Sequence, residues 1–186
     1  MVTTLSLWLP ILVAAIAVFV VSSVIHMLLT YHRDDYGRIE AEDAVMNALR
    51  PFNIPPGDYV LPYAGTARRM SEPDFIEKRT RGPVALMTVI PAGKPAMTGS
   101  LVQWFLYCIV VGVFAAYLTG HIVAAGANYA TVFRFAGTVA FCGYGLALLQ
   151  NSIWYKRSWT ATLKSVFDAA VYALVTAGVF GWLWPS

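Results

Sequence analysis

Charge is scarce in this sequence. Asp, Glu, Lys and Arg make up 12% of its 186 residues, against about 25% in soluble domains. Cysteine is scarcer still: Cys108 and Cys142 stand alone, each inside an apolar block. With no CxxC, CxxCH or zinc-finger spacing, redox motifs and metal fingers are excluded. The two thiols read as small buried hydrophobes rather than as a disulfide. A basic stripe of the kind that binds nucleic acid is missing, and so is an unbalanced Lys/Arg cluster that would make an electrostatic lipid switch. There is no Gly-rich phosphate loop, no H-E-x-x-H and no G-x-S-x-G, so no motif names a reaction or a cofactor.

What fills the space is apolar. Hydrophobic residues make up 58% of the chain, its mean hydropathy is +0.61, and they fall in long blocks rather than periodic stripes. Lipid is the solvent such a chain is built for. The expected fold is an all-α membrane protein of four transmembrane helices, with a partly structured cytoplasmic cap between the first and second. The expected boundaries are residues 1–30, 98–119, 128–150 and 160–184 for the spans, 31–97 for the cap, 120–127 for an outer loop and 151–159 for an inner turn. Gly120 marks the expected stop of the second helix. The short connections make neighbouring helices antiparallel.

The formal charge of +3 is unevenly placed. Residues 31–97 carry nine basic and nine acidic side chains, while the surplus comes from Arg134, Lys156, Arg157 and Lys164 against Asp168. The N-terminus, the 120–127 loop and the C-terminus carry no Lys or Arg. The positive-inside rule then gives one consistent solution, with both termini outside. Aromatic residues at the span ends, among them Trp8, Tyr129 and Trp182 outside and Tyr31, Trp104 and Trp159 inside, suit the two interfaces.

Helices in lipid associate by close packing and polar contacts. The fourth block repeats a small residue every four positions: Ala161, Ser165, Ala169, Ala173, Ala177 and Gly181. The third has a shorter version in Ala136, Ala140, Gly143 and Ala147. These ridges predict a tight hairpin, or a surface for oligomers or a larger membrane complex. In the cap, Arg38–Arg50 predicts an amphipathic helix with Ile39, Val45, Met46 and Leu49 on one side. Ser71-Glu72-Pro73-Asp74 predicts a capped helix start and Gly82-Pro83 its end. Val84–Ile90 reads as a strand with Tyr59–Tyr63 as its partner.

Ionisable groups at membrane depth are functional candidates by default. They are Asp168 in the fourth span, Arg134 in the third and His26 in the first. Asp168 is open to an ion pair with Arg134 or Lys164, to a hydrogen bond from Tyr172, or to proton or ion handling. His26 shares a helical stripe with Ser22, Thr30 and Arg33. His26, His32, Asp34 and Asp35 form a weak candidate metal set, weakened further because residues six apart lie on different faces of a continuous helix. His121 reads as interfacial.

PGDYVLPY at 56–63, Gly82-Pro83, WFLYCIVVGVFAAYL at 104–118 and ALVTAGVFGWLWP at 173–185 resemble a family of small four-helix bacterial inner-membrane proteins, over nearly the whole chain. The resemblance implies a bacterial cytoplasmic-membrane setting, and neither an activity nor site residues. Three functions are therefore expected in turn: an accessory, assembly or scaffold protein packing with itself or a partner; an oligomeric transporter or channel subunit using Asp168, Arg134 and His26; and a membrane metalloenzyme.

Overall fold

The computed structural model describes residues 1–94 and 96–186, which form two units, Met1–Gly37 with Ala96–Ser186, and Arg38–Pro95. The first unit is a helical bundle. Its helices are α1 (Trp8–Leu28), α4 (Thr98–Ile122), α5 (Tyr129–Tyr144), α6 (Leu149–Ile153) and α7 (Trp159–Trp182). The second holds α2 (Glu42–Leu49), α3 (Pro73–Arg81), β1 (Gly57–Leu61) and β2 (Ala85–Val89). Four stretches are long and apolar enough to cross a membrane: Thr4–Leu28, Thr98–Ile122, Tyr129–Ile153 and Trp159–Trp182. Their outward faces carry exposed Leu12, Ile16 and Val20, Val110 and Phe114, and Phe167 and Leu174, far more apolar surface than water tolerates on a monomer.

The small-residue ridges are used inside the bundle. Helices α5 and α7 make the most extensive helix contact, and Ala136, Ala140, Ala161, Ala169, Ala173 and Ala177 are all at most 5% exposed. A Cβ on Gly137 would stand 2.9 Å from the Ala177 methyl, and one on Gly181 would stand 2.7 Å from the Tyr129 ring. Two details differ from the ridge read in the sequence. Gly143 faces Val111 of α4, not α7, and Ala147 is exposed. The α5 stretch breaks at Gly145 into a 3-10 turn at Leu146–Leu148, which rotates later residues off the expected face. Gly145 instead packs on Ala169.

One end of the bundle is dry, with Leu7, Val132 and Phe180 fully buried there beside Val2, Val123 and Ala136. Gly120 does not stop its helix, which runs on to Ile122. Its carbonyl oxygen, freed as helix ends free their last carbonyls, accepts the Val2 N–H at 2.9 Å. Gly126 N–H donates to the Pro185 carbonyl at 2.9 Å, and the Trp184 indole N–H donates to the Ala124 carbonyl at 3.0 Å. The first and last residues and the connecting loop are thus laced together. Of the two cysteines, Cys108 is buried, but Cys142 is exposed, contrary to the expectation of two buried thiols.

In the second unit β1 and β2 pair antiparallel, Tyr59 opposite Met87, as the β-branched run between prolines predicts. Thr88 donates across the pair to Asp58 at 2.6 Å. Helix α3 begins with Pro73 at its first turn and without a side-chain cap, so Ser71 does not serve as one. Arg69 instead binds both Glu72 and Asp74. Gly82 ends the helix at φ 65°, a backbone region glycine enters without strain. The amphipathic segment is shorter than expected: α2 covers Glu42–Leu49, Ile39 lies outside it, and Val45, Met46 and Leu49 are exposed.

Candidate functional site

Apart from Arg134, the charged side chains of the bundle collect at the end opposite the dry core. Helix α1 stops at Leu28, and Leu29 is already extended. The chain then winds through a turn in which Arg33 N–H bonds the Thr30 carbonyl and Asp35 N–H the His32 carbonyl, each at 3.1 Å. From α7, Lys164 Nζ donates to the Tyr31 carbonyl at 2.5 Å, fixing the turn against that helix. The expected stripe of Ser22, His26, Thr30 and Arg33 is therefore cut. Ser22 is buried and accepts the Trp104 indole N–H at 2.8 Å, while Thr30 and Arg33 are exposed.

The turn folds His32 back beneath His26, with ring centroids 4.8 Å apart. A continuous helix would have kept them on different faces, so the objection to pairing them disappears with the helix. His32 sits between two carboxylates: Nδ1 is 2.7 Å from Asp35 Oδ2 and Nε2 is 2.7 Å from Asp168 Oδ2. The Tyr31 hydroxyl donates to the other oxygen of Asp168, and the Tyr31 ring stacks on His32 at 4.3 Å. Tyr172 brings its hydroxyl to 3.4 Å from His26 Nε2. Asp168 is 2% exposed.

Two carboxylates this deep require counter-charges. Asp35 has Lys164 at 3.2 Å and Arg157 at 3.7 Å. Asp168 has His32. Burial would lower the His32 imidazole, but the hydrogen bonds to Asp35 and Asp168 outweigh it and hold it above the ordinary histidine range. Burial would raise the Asp35 carboxyl, yet His32 and Lys164 hold it low. For the Tyr31 phenol, burial and the Asp168 carboxylate act together and raise it.

Of the candidates read in the sequence, His26, His32, Asp35 and Asp168 converge, whereas Asp34 points away and is exposed. Arg134 joins neither Asp168 nor any other acid among the described residues. It lines a groove between α5 and α7 with Phe133, Gly137, Thr138, Phe141, Ala170, Ala173 and Leu174. Lys164 serves Asp35 rather than Asp168, and Tyr172 serves His26. Tyr31 was missed: an aromatic at a span end reads as an interface anchor, and its bond to Asp168 crosses 137 positions. His121 holds to its own helix through the Tyr117 carbonyl at 2.6 Å.

Donor atoms of His26, His32 and Asp168 lie within 4.8 Å of one another. Two imidazoles and a carboxylate suit zinc and other first-row divalent ions, and three protein ligands leave coordination positions open. Asp35 already occupies the outer position typical of metal centres, on the far nitrogen of a ligating histidine. Comparison with family models, curated proteins and solved structures finds no match for this chain, so the site stands on its geometry.

Proposed function

We propose that this chain is a four-span protein of a bacterial inner membrane that binds a first-row divalent metal ion at the cytoplasmic end of its bundle. His26, His32 and Asp168 are the ligands, and Asp35 orients His32. The observation that carries this reading is the 4.8 Å convergence of three donor atoms, contributed by α1, the turn that follows it and the distant helix α7. Helix-end hydration alone would explain an exposed His26 but not a second imidazole folded beneath it onto a buried aspartate.

Both termini lie outside in this reading, and residues 31–97 lie inside. Arg33, Arg38, Lys94, Lys156 and Arg157 beside the inner span ends support that orientation. An accessory or scaffold role, drawn from the small-residue ridges, the neutral cap and the lack of catalytic motifs, has less support from the ridges, because most of their alanines are buried within the chain's own bundle. Transport through Asp168, Arg134 and His26 lacks a link from Arg134 to the other two.

Metal analysis of the protein purified in mild detergent from metal-supplemented cells tests the assignment. One equivalent of a first-row ion is expected in the wild type and less than a tenth of that in His26→Ala and Asp168→Asn. A cobalt-loaded sample should show the absorption of mixed nitrogen and oxygen ligation. A wild type without metal, or an unchanged content in the folded His26→Ala protein, would overturn the reading. Reporter fusions at each end and within residues 64–68 check the orientation separately.

A further inference from the structure

Arg134 is the charged residue within the four long apolar stretches that the metal site leaves unused. It lies five residues into α5, roughly 7 Å along the helix from its start. In the proposed orientation this is the outer leaflet, just beneath the interfacial aromatics Tyr129 and Trp182. Its guanidinium makes no hydrogen bond and no ion pair among the described residues. A lone arginine at that depth extends toward the headgroups and seeks an anion there.

The groove below it supplies the rest of a site. Gly137 and Thr138 lie three and four residues after Arg134, and Phe141 four and three after them, so the four run down one face of α5. Ala170, Ala173 and Leu174 form the opposite wall on α7. The cavity they enclose is about 400 Å³. Its walls are apolar apart from the Thr138 hydroxyl, which is turned back onto the Arg134 carbonyl at 2.7 Å. Seven residues from Arg134 to Phe141 give a channel of roughly 10 Å, running from the headgroup region toward the bilayer centre. Gly137 and the alanines of α7 keep its floor low, while Phe133, Phe141 and Leu174 stand along it.

From this we infer that the groove between α5 and α7 holds one anionic phospholipid of the outer leaflet, its phosphate on Arg134 and an acyl chain between Phe141 and Leu174. A cation at headgroup depth with no protein anion, set at the mouth of an apolar channel that points into the bilayer, matches that amphiphile in both charge and shape. The inference rests on the four-span reading and is independent of the metal.

Native mass spectrometry of the full chain, titrated with phosphatidylglycerol or phosphatidylcholine at equal concentrations, tests it. The wild type should retain phosphatidylglycerol roughly fivefold better, the preference of about one basic residue near a membrane surface. Arg134→Gln should abolish the preference, and Arg134→Lys should keep most of it. Leu174→Trp, which fills the channel, should lower retention of both lipids. Equal retention of the two lipids by the wild type, or an undiminished preference in Arg134→Gln, would overturn the proposal. Asp34→Asn, an exposed change outside both sites, serves as the control: its lipid preference should match the wild type.

Discussion

His32 Nε2 lies 2.7 Å from the Asp168 carboxylate although 136 positions separate them, and this contact ties the turn after α1 to the middle of α7. Asp168 is almost completely buried and His32 partly so. Removing one side of such a pair strands the other in a poorly solvated place. Asp168→Asn should therefore cost about 3 kcal/mol of bundle stability, read by unfolding in mixed micelles with metal chelated. Asp34→Asn, an exposed neighbour of the site, should cost less than about 0.5 kcal/mol. Equal effects would mean that the pairing contributes nothing.

Gly137 and Ala177 touch so closely that a β-carbon on the glycine would stand 2.9 Å from the alanine methyl. Gly137→Val should destabilise the α5–α7 contact by about 1–3 kcal/mol, the usual cost of overpacking. Adding Ala177→Gly should recover part of that loss, because the second change vacates the space the first one needs. A strictly additive double-mutant cycle would place the strain elsewhere.

Gly120 carries the N-terminal segment on its surface, and a β-carbon there would collide with the Val2 carbonyl oxygen. Gly120→Ala should push residues 1–5 off the bundle while leaving the helices in place. Faster hydrogen exchange at the Val2 amide, with unchanged exchange in residues 105–115, is the expected pattern. Unaltered protection at Val2 would contradict it.

Arg69 holds Asp74 in ionised form, chiefly through their hydrogen bond, so the Asp74 carboxyl titrates below its ordinary range. A carboxyl lowered by folding stabilises above its unfolded pKa, and that help is lost as the pH falls through the folded value. Asp74→Asn should accordingly differ from the wild type in exchange protection of Phe75 and Ile76 at pH 6. The two should converge as the pH is taken down through the folded value, after correction for intrinsic exchange. A difference that persists undiminished at low pH would rule out the ion pair as its source.

The four long helices were legible because lipid imposes a length and an apolarity that blocks of sequence show directly. The hairpin of β1 and β2 was legible for a similar reason: Val84–Ile90 is a β-branched run with prolines at its borders. The metal candidates were only half legible. Which aspartate would turn inward, Asp34 or Asp35, depends on a turn containing neither Gly nor Pro, held by Lys164 from α7. The same turn decides whether His26 and His32 meet. Periodicity assumes the helix continues, but here it stops at Leu28 and a lysine from the distant helix α7 holds the turn that follows. Gly145 has a parallel lesson, since the break it makes leaves Ala147 exposed.

The lacing of Val2 to Gly120, Gly126 to Pro185 and Trp184 to Ala124 has a consequence for what the site can sense. That end is stitched, with Leu7, Val132 and Phe180 packed behind it. In the proposed orientation a metal held by His26, His32 and Asp168 would exchange with the inner compartment alone. Its occupancy would then track the free ion activity there, and raising the ion outside the cell should leave it unchanged unless the inner level rises too.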